Sequence, residues 1–252
     1  MQQLIDNLEA AAMNAWPCLR QQLVAGWVVR IANGYTKRAN SANWLYAQAE
    51  LAPEHLIGQI EGAYQRHGLP PIIRIVERPE TAQIDQYLGA CGYRQIDRSL
   101  VLVADLPAQP VVAQQLGCAA IDPEQWLLAY SAFHGASPTA MQQHRQILDA
   151  ILPATLYAAV HAEGQIAACG LAVLDRGYLG CFDIVTNPAL RRRGYARHLM
   201  AGILAWGAEQ GAHTAYLQVV EQNHAARSLY ADLGFRQAYR YWYRIPALTI
   251  AP

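Results

Sequence analysis

The chain has 252 residues, 53% hydrophobic and 15% charged, with 19 basic against 19 acidic side chains. A formal charge of zero argues against a broad basic surface that grips a nucleic-acid backbone, and the hydrophobic fraction argues against disorder. No window approaches the roughly 18 apolar residues of a membrane span; the longest helix-like apolar stretch is Leu199 to Trp206.

The N-terminus, MQQLIDNLEAAAMNAWP, has no basic start and no apolar signal core, since Asp6 and Glu9 interrupt it. GWVVRIANGYTKR is predicted as two strands turning about Asn33-Gly34. PEHLIGQIEGAYQRHG is predicted as a helix carrying Leu56, Ile57 and Ile60, IIRIV as a β-branched strand, and TAQIDQYLGACG as a helix closed by Gly92. YRQIDRSLVLVADL reads as a strand. From Asp105 to Pro123 three prolines occur and no period is sustained, which marks a connection between two halves, 1–106 and 107–252.

The second half opens with DPEQWLLAYSAFHG, a helix capped by Asp122 with proline at its first position. MQQHRQILDAIL has helical spacing at Met141, Ile147, Leu148 and Ile151. Two strands follow about Glu163-Gly164, a further turn spans Asp175 to Gly177, and YLGCFDIVT is the next strand. Then come a helix closed by Gly211, the strand AYLQVV, a helix from Asn223 to Leu233 closed by Gly234, and the aromatic strand FRQAYRYWYRI. The order α-α-β-β-β-α-β-α-β implies a mixed α/β sheet. Cys18, Cys91, Cys118, Cys169 and Cys181 are odd in number, widely spaced and without a CxxC pair, so neither a zinc site nor a disulfide framework is indicated. A reduced, cytoplasmic, soluble protein without metal is expected.

The two halves end alike. With Gly92 set on Gly234, Tyr93 falls on Phe235, Arg94 on Arg236, Gln95 on Gln237 and Arg98 on Arg240. The offset is too long for a solenoid, so two domains of one fold in tandem explain it better than two unrelated helix-glycine-strand units.

The strongest local signal is FDIVTNPALRRRGYARHLM. A strand ends near Thr186, and Arg191-x-x-Gly194-x-Ala196 then opens a helix. Small residues there allow close approach to the backbone, and the first helical turn offers unpaired N–H groups and the positive end of the dipole to a phosphate. The alternative is a surface turn before a basic, solvated helix. The GxxxxGK[ST] of a P-loop and the GxGxxG of a dinucleotide site are both absent. Asn223-x-x-Ala226-x-x-Leu229-Tyr230 and Gly234-Phe235 lie downstream. Together with the arginine loop they resemble the GNAT superfamily of acyl-CoA-dependent N-acetyltransferases over Asp122 to Ile245.

That resemblance implies a twisted mixed sheet flanked by helices, splayed between its fourth and fifth strands, with acetyl-CoA as co-substrate in the splay. It places the pyrophosphate at the loop of Arg191, Arg192, Arg193, Gly194, Tyr195, Ala196 and Arg197. The pantetheine lies beside Asp183, Ile184, Val185 and Thr186, with the Val185 N–H at the acetyl carbonyl as oxyanion donor. Asn223 and Ala226 complete the cofactor side. Tyr230 stands where the family often places the acid that protonates the CoA thiolate; its plainer role is a tyrosine packed on the sheet. Asp183, Glu221, His134 and a water chain compete as base, with His134 and Glu221 also on the acceptor wall. Cys169 and Cys181 sit in apolar strands and read as core rather than nucleophiles.

The first half resembles the same fold but carries only ERPE between IIRIV and TAQID, and Leu88 falls on Tyr230. It is expected not to bind acetyl-CoA. GW-x-x-R followed by GYTKRANS resembles segments that precede a GNAT domain in other chains. In it Lys37, Arg38, Asn40, Ser41 and Asn43 form either a polar recognition edge for substrate or a solvated hairpin. The expectation is a tandem N-acetyltransferase acting on a small-molecule amine, amino acid or peptide, as a monomer or homodimer. A non-catalytic acyl-CoA sensor and a longer-chain acyltransferase are the alternatives.

Overall fold

The structure, a computed structural model, describes residues 2–47, 51–107 and 117–247. Most of the expected connection from 105 to 123 therefore lies outside the described residues. Packing divides the chain into two compact units, one within residues 1–15 and 101–238, the other within 16–100 and 239–252. These are not the linear halves 1–106 and 107–252, because each half lends an end to the other's unit. Among the described residues no helix is long and apolar enough to cross a membrane.

The larger unit begins with α1 (Gln2–Ala15). Its Ile5, Leu8, Ala11 and Ala15 share one buried face at helical spacing. That face packs on the sheet, where Asn7 Nδ2 donates to Tyr178 Oη at 3.1 Å and Asn14 Nδ2 to Asp175 Oδ2 at 2.8 Å. The C-terminal part of β5 (Arg94–Asp105) belongs here, followed by β6 (Cys118–Ala120), α4 (Pro123–His134), α5 (Pro138–Asp149), β7 (Ala154–Ala162), β8 (Gln165–Asp175) and β9 (Tyr178–Thr186). Then come α6 (Tyr195–Glu209), β10 (Thr214–Val220) and α7 (His224–Asp232).

Asp122 Oδ1 accepts from the N–H groups of Glu124 and Gln125 and so starts α4, which Gly135 ends at φ +64°. The two hairpins turn at Glu163-Gly164 and Arg176-Gly177, where all four residues have positive φ as a two-residue hairpin turn requires. The strand order is β5-β10-β9-β8-β7-β6, antiparallel from β6 to β9 and parallel between β9 and β10. Helix α6 lies unusually close to the sheet. A Cβ on Gly202 would come within 2.2 Å of Cys118 Cβ, and one on Gly207 within 2.3 Å of a Leu179 methyl.

The second unit holds β1 (Arg20–Val24), β2 (Trp27–Ile31), β3 (Ala42–Trp44), α2 (Pro53–Gln65), β4 (Ile73–Val76), α3 (Pro79–Ala90) and the first part of β5. Its sheet runs β1-β2-β3-β4 and adds the latter part of β11 (Arg236–Ile245) beside β4. The hairpin here is β1–β2 about Ala25-Gly26, not the expected one at Asn33-Gly34. Asn33-Gly34 instead lies in the longer link from β2 to β3, which includes a 3-10 turn at Lys37–Ala39. Asn40 decides this. Its buried Oδ1 accepts from the Ala32 and Gly34 N–H groups, and its Nδ2 donates to the carbonyls of Tyr35 and Thr36. The loop thereby satisfies its backbone without a ladder.

Each unit has the same succession: a hairpin, a third antiparallel strand, a helix, a parallel strand, a helix, a glycine and a closing strand. That succession moves the expected comparison. ERPE at 77–80 corresponds to Glu221–Asn223, before the closing helix. The counterpart of the arginine loop lies between β3 and α2, where residues 48–50 are outside the described residues.

Candidate functional site

The site grows from an irregularity between β8 and β9. Cys169 opposes Val185 and Leu171 opposes Phe182, so Asp183 and Ile184 together face Gly170 alone. This is a β-bulge, and Asp183 takes φ +51° within it. Gly170 is required here, because a Cβ would lie 2.5 Å from Ile184 Cδ1. Beyond the bulge, the Asn187 N–H donates to the Ala167 carbonyl at 2.9 Å. Alternation along an antiparallel pair then turns the Val185 N–H toward β8 and the Ile184 and Thr186 N–H groups to the opposite edge. This corrects the expectation that Val185 supplies the oxyanion donor. Val185 is buried, whereas Ile184 and Thr186 are half-buried.

That opposite edge is open. The parallel pairing of β9 with β10 ends at Cys181 and Leu217, although β9 continues to Thr186 and β10 to Val220. The carboxyl ends of the two strands part, and such a crevice is where ligands bind in open α/β sheets.

The Asp183 carboxylate does not enter the crevice. Its side chain is 6% exposed and Oδ2 lies 3.0 Å from Nε2 of His144, itself 1% exposed on α5. As a whole residue Asp183 is half-buried, so what it exposes is main chain. The His144 ring meets Trp126 and Tyr130 edge-on, and Trp126 Nε1 donates to the Gly170 carbonyl opposite the bulge. His144 escaped the sequence reading, although it shares the helical stripe of Ile147, Leu148 and Ile151.

After β9 a 3-10 turn, Pro188–Leu190, is fixed by Asn187 Oδ1 accepting from the Ala189 N–H. Arg192 (φ +65°) and Gly194 (φ +84°) then bend the chain into α6. Helices α4, α5 and α7 of this unit are capped by Asp122, Ser137 and Asn223, whereas α6 has no side-chain cap. Its first helical bond is His198 N–H to the Gly194 carbonyl, which leaves the Tyr195, Ala196 and Arg197 N–H groups without an intrahelical acceptor. No heavy atom lies within 4 Å of a Cβ built on Gly194. Arg193 pairs with Glu163 at 2.7 Å and Arg197 with Asp232. Arg191 and Arg192 are exposed and make no ion pair among the described residues. Uncapped N–H groups, open space and two uncommitted arginines suit a phosphate group.

Tyr230, on α7, is 8% exposed, and burial together with nearby Cys181 pushes its phenol up to about 12. Cys181 is the last β9 residue paired to β10, so Tyr230 sits near the point where the strands part. Asn223 Oδ1 accepts from the Ala226 N–H, which commits that oxygen and that N–H to the cap of α7. Glu221 follows β10, and its carbonyl accepts from Arg227. His134 is exposed at the last turn of α4, its ring 4.5 Å from Tyr130. Burial holds the thiols of Cys169 and Cys181 up at about 12, so both stay protonated at neutral pH.

In the other unit Asn40 is spent on its own loop, which removes it from the expected recognition edge. The Arg38 guanidinium lies over Trp16 at 4.3 Å, and the Arg38 carbonyl accepts from buried Arg30. At the counterpart of the crevice the Arg78 guanidinium lies 4.2 Å over Trp44, at the end of β3, and Arg78 Nε pairs with Glu80 at 3.1 Å, beside a cavity of about 640 Å³ lined by Trp44, Pro53, Leu56, Glu80 and Ile84. Leu88, fully buried, stands in place of Tyr230.

Comparison with known proteins agrees with this geometry. The sequence profile of the family described as "Probable histone acetyltransferase Rv0428c C-terminal" matches residues 3–244. The uncharacterized N-acetyltransferase YobR of Bacillus subtilis (strain 168) is 25% identical over 246 residues, covering 96% of this chain and 98% of YobR. The [Ribosomal protein bS18]-alanine N-acetyltransferase of Escherichia coli (strain K12) is 35% identical over 77 residues, 30% of this chain and 51% of that protein. Among solved structures, a GCN5-related N-acetyltransferase from Kribbella flavida has a TM-score of 0.69 at 16% identity, covering 97% of this chain and 96% of that one. A tandem GNAT protein from the clavulanic acid biosynthesis pathway has 0.64 at 14% identity, covering 94% and 87%. At these identities the structural likeness speaks for the fold.

Proposed function

The chain belongs to the family described as "Probable histone acetyltransferase Rv0428c C-terminal", whose relatives are N-acetyltransferases of the GNAT fold, and from that premise we propose that its larger unit transfers an acetyl group from acetyl-CoA to a primary amine. The observation that carries the proposal is the bulged β9 parting from β10 and leading into the uncapped start of α6.

In this reading the pyrophosphate of acetyl-CoA rests on the N–H groups at the start of α6, with Arg191 and Arg192 adding positive charge. The pantetheine pairs with the outward edge of β9 through Ile184 and Thr186. The Ile184 N–H, within the bulge, donates to the thioester oxygen as negative charge develops there. The amine attacks the carbonyl carbon, the C–S bond breaks, and Tyr230 gives its proton to the departing thiolate. Asp183 serves through its backbone, and no acyl-enzyme is required because the buried thiols are protonated. Tyr230 favours an enzyme over a sensor.

The acceptor is taken to be a small-molecule amine, amino acid or peptide. The named acceptors of the family and of the E. coli relative are protein amines, but a formal charge of zero gives this chain no general attraction for basic tails. A cytoplasmic location is part of this reading. The smaller unit is proposed not to bind acetyl-CoA, since Leu88 stands in place of the phenol.

Calorimetric titration of acetyl-CoA into the whole chain tests this reading. One site per chain, with micromolar affinity on the order of −8 kcal/mol, is the expected result. Two sites would restore a working role to the smaller unit, and no binding would overturn the proposal.

A further inference from the structure

Asp183 holds a left-handed backbone conformation that a non-glycine residue adopts at a cost, and something in the fold must sustain it. Gly170 leaves room for the bulge but does not hold it in place. The group that reaches the bulge is His144, from α5, a different element, with Nε2 3.0 Å from the Asp183 carboxylate. Both side chains are almost wholly buried, and Trp126 and Tyr130 fix the imidazole edge-on. Trp126 also ties itself to the far side of the bulge through the Gly170 carbonyl. Two contacts from the α4–α5 pair therefore bracket the one irregular step of β9. A buried carboxylate has to be matched by a donor or a positive partner, and the imidazole is placed to be one.

We propose that His144 is a positioning residue for the acetyl group: by holding the Asp183 carboxylate inward, it keeps the bulge that aims the Ile184 N–H at the thioester oxygen. This rests on the proposed acetyl-CoA site. His144 touches neither reactant and moves no proton. Its effect falls on the acetyl end of the ligand, because the phosphate-binding start of α6 is set separately by Arg192, Gly194 and the Pro188–Leu190 turn.

The test compares acetyl-CoA with CoA, which share everything except the acetyl group. Affinities are measured by calorimetry for wild type, His144→Ala and His144→Gln, and the carbonyl carbon of 13C-labelled acetyl-CoA is followed by NMR. Wild type is expected to prefer acetyl-CoA and to shift its carbonyl resonance downfield on binding. In His144→Ala the CoA affinity should stay within about 2-fold while the preference for acetyl-CoA falls about 2–10-fold, the range of one hydrogen bond. The carbonyl shift should shrink in parallel. His144→Gln, which keeps an amide donor, should restore both.

If His144→Ala does not fold, His144→Leu/Asp183→Asn carries the same comparison, because it buries no unpaired charge and asparagine tolerates the left-handed backbone. An unchanged preference and carbonyl shift in the variant would overturn the proposal, as would a wild type that binds both ligands equally. An equal loss of CoA and acetyl-CoA affinity would also overturn it, since His144 would then be general scaffolding. A wild type that binds neither ligand would overturn the acetyl-CoA site itself.

Discussion

Replacing Tyr230 by phenylalanine separates an acid from a packed ring. The ring is 8% exposed and lies 5.9 Å from Phe235, and the substitution keeps all of that contact. No hydrogen bond to the hydroxyl is present among the described residues, so its loss at neutral pH should change stability by less than about 1 kcal/mol. If the phenol protonates the leaving thiolate, its removal should lower kcat by about 10²–10⁴-fold. The affinity for acetyl-CoA should change by less than about 3-fold, since the loop of α6 is untouched.

The assay is continuous thiol release from acetyl-CoA with an amine found by screening, alongside calorimetry. A second reading comes from pH. Burial raises the phenol from its ordinary 10 to about 12 in the folded chain. The neutral form is thus favoured by folding. This stabilisation is complete below pH 10 and is lost as pH rises through 10 to 12. The rise from 10 to about 12 amounts to about 2–3 kcal/mol. The stability of Tyr230→Phe relative to wild type should therefore rise by about that amount between pH 9 and 12, measured by denaturant titration. A kcat within about 3-fold of wild type would remove the acid role, and a flat stability difference across that pH range would refute the buried placement.

Gly194→Val should weaken acetyl-CoA binding at least about 10-fold by calorimetry, because a branched side chain at φ +84° both strains the turn and fills the open space before α6; unaltered binding would disconnect that loop from the ligand. The double variant Arg191→Ala/Arg192→Ala should weaken binding and flatten its dependence on salt, whereas Arg193→Ala should do less because Glu163 already occupies that guanidinium. Asn40→Ala should cost about 2–4 kcal/mol in denaturant unfolding by orphaning the buried N–H groups it now satisfies. A cost below about 0.5 kcal/mol would return Asn40 to the list of recognition residues.

Much of the larger unit was legible locally. Asp122, Glu163-Gly164, Gly211 and Gly234 each act on their own few neighbours, and the structure places each where its pattern implies. The second helix showed its stripe through Ile147 and Leu148. The first link between strands misled, since Asn33-Gly34 is a good hairpin dipeptide by itself. The competing signal, the side chain of Asn40, acts across six or more residues and has no local signature.

The spacing of Arg191, Gly194, Ala196, Asn223 and Tyr230 carried the family resemblance because backbone geometry at a helix start depends on residues close in sequence. Tertiary structure alone decided what surrounds that loop. The register of β8 against β9 turned Val185 inward and Ile184 outward, and a one-residue difference in pairing reverses which edge a strand's N–H groups face. Long-range packing likewise drew His144 to Asp183 across 39 positions, lent α1 and the end of β11 to opposite units, and set Arg78 over Trp44. Sequence determines turns, caps and stripes because those are local balances of backbone strain and solvation. The partner that a buried charge finds depends on which distant surfaces the folded sheet brings together.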